Sequence, residues 1–196
     1  MKKLAICLAL TCSILTLTGC KDDPVKIAKD TILPYMPGMS IGAALNHYSV
    51  CKPGTQEWST FTSKTTNKQI VDFKCTDEYF PDRVKNLKNV YIKDVKYSLN
   101  KDDLEKNLNA FDITKATFIL RLRQMDNDKK SYELHLIGHR FEYADGTKGV
   151  TEWKWKRDLL KEVYNDKDIA SYIGNRLHPL VFGYSMVGTY KAGSKK

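Results

Sequence analysis

The class this sequence predicts is α+β: an antiparallel sheet of about five to six strands with helices packed on one face. Three observations carry that reading. The middle of the chain alternates with period two, Phe118, Leu120 and Leu122 against Ile119, Arg121 and Arg123. Short turn-forming stretches such as Asp126-Asn127-Asp128 and Asp145-Gly146 separate such segments, so consecutive strands pair antiparallel. Patterns of helical spacing precede, interrupt and close the strand series.

Taken in order, residues 21–38 are polar and carry Pro24, Pro34 and Pro37. They read as a tether with room for one helical turn in Val25–Leu33. Ile41, Ala44, Leu45 and Tyr48 recur at helical spacing behind Ser40, a good cap. Pro53-Gly54 ends that helix. Trp58–Ser63 and Gln69–Thr76 form an expected hairpin, with Val71, Phe73 and Cys75 on one face. Val90–Leu99 reads as a further strand, aligning Val95, Tyr97 and Leu99. Asn100 then caps a helix striped by Leu104, Leu108 and Phe111.

Three strands follow: the segment around Phe118–Arg123, then Tyr132–Tyr143, then Val150–Arg157. In the last, alternation puts Thr151, Trp153 and Trp155 on one face and Glu152, Lys154 and Lys156 on the other. Asp158 and Asp166 are positioned to cap two helices, the second ending at His178-Pro179. The expected organisation is a signal peptide over 1–19, a tether over 20–37, an α+β domain over 38–178 and a tail over 179–196. The apolar half of that tail is able to dock on the domain, and its Lys-rich end is expected to be disordered.

The N-terminus narrows the compartment. Lys2 and Lys3 precede an apolar run from Leu4 to Leu17, closing on Leu17-Thr18-Gly19-Cys20. A basic start, a short apolar core and small residues at a cut site describe a secretory signal, and the core is too short to span a bilayer. The string LTGC resembles the lipobox of bacterial lipoprotein precursors. That resemblance implies cleavage before Cys20, acylation of Cys20, and membrane attachment through its acyl chains. Lys21 in the next position implies sorting to the outer membrane, facing the periplasm. Ser40-Ile41-Gly42 through Leu45, followed by Trp58, is also similar to the helix and tryptophan-bearing strand of small envelope lipoproteins of the SmpA/OmlA type. That likeness spans about a quarter of the chain and implies no partner or role.

The chain has 196 residues with a formal charge of +9. Removing the signal, with its two lysines and no acids, leaves +7. Such a surface suits an anionic envelope component or an envelope protein as partner; nucleic acid is not expected for a tethered envelope domain. Of five cysteines, Cys7 and Cys12 leave with the signal and Cys20 takes lipid. Cys51 and Cys75 remain as an even pair in an oxidising compartment and are expected to be bonded. A rival role for Cys51 as a nucleophile beside His47 fails because a free thiol would be oxidised there.

Motifs for chemistry were tested one by one. His135 and His139 have helical metal spacing, but on a strand they sit roughly 13 Å apart, so no metal site is expected. Asp126-Asn127-Asp128 begins like a calcium loop, yet Lys130 and Ser131 stand where that pattern continues with Asp or Asn and Gly; it reads as a turn. Gly183-Tyr184-Ser185-Met186-Val187-Gly188 is one residue too long for a nucleophile elbow and no His follows it. No phosphate loop or dinucleotide fingerprint is present, and no catalytic residue or cofactor is assigned. Trp153 and Trp155 with Lys154 and Lys156 form a candidate binding surface, against the alternative that both rings are core. The expected function is a non-catalytic binding or assembly module. An inhibitor or immunity protein against an envelope-targeting toxin is the alternative, as is a hydrolase with an unrecognised site.

Overall fold

The computed structural model describes residues 23–126, 128, 130–176 and 179–195. The expected signal peptide over 1–19, Cys20, Lys21 and His178 lie outside the described residues. A five-stranded antiparallel sheet runs in sequence order: β1 (Glu57–Thr62), β2 (Gln69–Asp77), β3 (Ile113–Gln124), β4 (Tyr132–Tyr143) and β5 (Lys148–Glu152). The β1–β2 hairpin forms as expected, with Asn67 in the left-handed region at φ 53°, which Asn tolerates better than most residues.

Alternation assigns the faces. Phe73 lies beside Leu120 and Leu120 beside Ile137; Cys75 lies beside Phe118 and Phe118 beside His139. These residues are buried and join the helices in one core. The opposite face is polar at its centre. There Asp72 is buried between Arg121, whose Nε donates at 2.6 Å, and Lys74 at 3.5 Å. A carboxylate removed from water needs such partners.

Helices cover the first face. They are α1 (Pro24–Asp30), α2 (Ile41–Asn46), α3 (Phe80–Val95), α4 (Lys101–Leu108) with a 3-10 turn over Asn109–Phe111, α5 (Lys156–Tyr164), α6 (Ile169–Arg176) and α7 (Pro179–Gly193). Ser40 Oγ accepts from Ala43 N–H and Asn100 Oδ1 from Asp103 N–H, the two caps the sequence marked. Among the described residues no helix is long and apolar enough to cross a membrane.

Several expectations need correction. Val90–Leu99 is not a strand: its first half completes α3. Phe80, Val84, Tyr91 and Val95 are all buried at helical spacing, whereas Tyr97 is 87% exposed. The apparent alternation at the end of that segment is coincidence.

The segment read as tether is folded instead. Ala28 and Leu33 are buried in the core, so α1 belongs to the domain. The apolar half of the tail docks as expected, with Phe182 and Met186 buried, and it does so as a helix, α7.

The last strand stops at Glu152. Trp155 takes a left-handed conformation, φ 59°, and the chain turns into α5 at Lys156, ahead of Asp158. Asp166 does not cap α6 either. Its carboxylate accepts from Ser49 N–H, while Asp168 accepts from Ala170 N–H.

Candidate functional site

Cys51 and Cys75 form a disulfide. It staples the segment after α2 to β2, where Cys51 also bridges to Asp77. The bond removes Cys51 as a nucleophile, and His47 is exposed.

The two histidines of β4 separate onto different faces for a reason the register gives. Arg121 pairs with Leu136 and Leu122 with Leu134, so His135 is the extra residue of a β-bulge. The bulge switches the inward set from Tyr132 and Leu134 to Ile137, His139, Phe141 and Tyr143. His135 therefore sits with Arg121 and Arg123 on the polar face. Burial first, then the charges of Arg123 and Lys156, hold its pKa below the ordinary imidazole value. Among the described residues no group of three or more His, Cys, Asp or Glu side chains could hold a metal ion.

His139 is fully buried, and it organises a polar chain inside the core. Trp153 Nε1–H donates to its Nδ1 at 2.9 Å. An indole nitrogen can only donate, so Nδ1 accepts and Nε2 is left to donate to Asp77 Oδ2 at 3.1 Å. The other Asp77 oxygen accepts from Tyr79 and Phe80 N–H, each at 3.0 Å, at the start of α3. Phe80, Phe141 and Phe118 enclose the imidazole. Both ring nitrogens are occupied and the ring has no exposed surface, so this pair holds β2, β4, α3 and Trp153 together. Sequence reading did not single out Asp77. Its position just ahead of Phe80-Pro81 was the available signal, since a carboxylate preceding a Pro-bearing first turn suits a cap.

The candidate surface at Trp153–Lys156 divides. Trp153 is core, 4% exposed, while Trp155 is 40% exposed. Lys154 is exposed; Lys156 pairs with Glu152 and donates to the His135 carbonyl. Beyond it, the Arg157 guanidinium lies 5.0 Å over the Tyr35 ring.

This corner opens into a groove missed at the sequence level. Leu33, Tyr35, Met125, Tyr132 and Leu134 line it, with Arg157 at the rim and a volume of about 560 Å³. A second depression of about 490 Å³ continues it past Pro34, Met125 and Tyr132 to Ile27 and Ile32 of the α1 region. Burial raises the pKa of the Tyr35 and Tyr132 phenols, and pushes that of neighbouring Tyr164 up to about 12. The groove thus offers phenols, aliphatic walls and a rim of mixed charge, Lys156 and Arg157 with Glu133. No protein-family model matches the chain, and no curated protein and no solved structure matches it.

Proposed function

We propose that the chain is the precursor of a lipid-anchored lipoprotein of the bacterial cell envelope, at the outer membrane facing the periplasm. Its folded domain acts as a binding or assembly module. The observation that carries the reading is the junction of LTGC with the domain. An acylation-type cysteine at position 20 is followed almost at once by a helix whose Ala28 enters the core, and Leu33 just beyond that helix enters it too. A disulfide between Cys51 and Cys75 agrees with an oxidising compartment.

Two surfaces are available to an envelope protein or an anionic envelope component. One is the groove with its Arg157 rim. The other is β1, which pairs only with β2 and lies at the edge of the sheet, where a partner strand can add. The His139–Asp77 pair lies enclosed in the core, away from both surfaces.

Two measurements test the reading. Metabolic labelling with palmitate should mark the wild type and not Cys20→Ala; equal labelling of both would refute acylation at this cysteine. Cross-linking of the acylated protein in intact cells, followed by mass spectrometry, should capture one reproducible envelope partner. Capture of glycan turnover products without any such partner would return the hydrolase reading.

A further inference from the structure

We propose that the acylated domain rests directly on the phospholipid bilayer that holds Cys20. The contacting end carries α1, the Thr31–Pro34 segment and the β3–β4 turn. This rests on the lipoprotein reading above and adds the orientation of the domain.

A tether over 20–37 could extend up to roughly 60 Å at about 3.5 Å per residue. Because α1 packs into the core, only Lys21 and Asp22 separate Cys20 from Asp23, the residue that caps α1 by accepting from Val25 N–H. Asp23 therefore stays within about 10 Å of the anchored sulfur. The domain has no length with which to stand away from the lipid.

A seven-residue helix is about 10 Å long, so both ends of α1 lie close to what α1 touches. The depression between α1 and the β3–β4 turn is walled by Ile27, Ile32, Met125, Ser131 and Tyr132. Asp23 is itself near enough to Tyr132 for its charge to act on the phenol. The β4–β5 turn lies at the far end of β4, whose 12 residues span about 40 Å.

Ile32 is 58% exposed and stands beside Pro34 and Met125 at the mouth of the depression. An exposed aliphatic patch beside an acyl anchor gains by entering the interfacial region of a bilayer. Charges at this end are mixed, Lys26 and Lys130 with Asp30 and Asp128. The contact is therefore driven by the tether and the apolar patch, not by anionic lipid.

The test uses the mature acylated protein in dioleoylphosphatidylcholine vesicles containing a headgroup spin-labelled lipid. A single fluorophore is placed at Ile32→Cys, at Lys130→Cys on the β3–β4 turn, or at Ala144→Cys on the β4–β5 turn, all solvent-exposed positions. The first two labels should be quenched several-fold more than the third, and high salt should leave the difference in place. Equal quenching at all three sites, or stronger quenching at Ala144, would overturn the orientation while leaving acylation intact. Mass spectrometry showing an unacylated Cys20 would overturn the lipoprotein reading together with the orientation.

Discussion

His135 and His139 show how two identical side chains four residues apart acquire different physics. His139 is bound on both ring nitrogens inside the core; His135 projects from a bulge among cations. The depressed pKa of His135 has a pH consequence. In the unfolded chain the imidazole protonates near pH ~6.5, but in the folded protein it does so only at lower pH. Below about pH 6.5 the unfolded state therefore binds more protons, and stability falls until the folded-state pKa is passed. Above that window the group contributes nothing. His135→Gln should match the wild type in thermal midpoint at neutral pH and lose less on acidification. Superimposable acid limbs for the two proteins would exclude this role.

At the scale of elements, β4 depends on Gly138 as well as on its bulge. A Cβ there would lie 2.2 Å from the Thr151 carbonyl oxygen. That oxygen belongs to the backbone of β5 and cannot rotate aside, so Gly138→Ala must push the strands apart. The expected cost is about 3 kcal/mol, the upper end for overpacking, read by urea denaturation. A loss below about 1 kcal/mol would mean that β5 yields more easily than the register implies. The helices show the opposite sensitivity. The side chain of α3's cap residue, Tyr79, makes no capping hydrogen bond, and the helix takes its capping from Asp77 at the end of β2. One carboxylate thereby serves a helix start and the buried histidine together.

Across the whole molecule, one disulfide and one continuous core tie the N-terminal third to the sheet. The Cys51–Cys75 bond closes a separation of 24 residues, worth about 3 kcal/mol in the chain-entropy model. Cys51→Ala/Cys75→Ala should fold and bind as before but unfold about 3 kcal/mol more easily in urea. An unchanged midpoint would show that the core alone restrains the segment after α2. The far end of the chain is held differently. Tyr190 of α7 donates to Asp145 Oδ2 at 2.7 Å, fastening the last helix to the β4–β5 turn. Together with the buried Phe182 and Met186 it holds 179–193 on the domain.

By itself the sequence determined what is written in local periodicity and short-range chemistry. The hairpin, the β3–β4 pairing, the Ser40 and Asn100 caps and the pairing of two cysteines were all legible there. Each follows from residues within a few positions of one another, or from a choice with one solution. Tertiary structure decided the rest. Val90–Leu99 satisfied both periods over its short length, and only the burial of Tyr91 and Val95 against the core selected helix. Trp153 and Trp155 shared a face on paper, but the chain leaves the sheet after Glu152, so one indole meets His139 and the other meets solvent. Pro-rich, polar residues after Cys20 looked like a spacer until Ala28 and Leu33 found places in the core. The groove beside them could not be read in advance, because its walls come from residues about a hundred positions apart that only folding brings together.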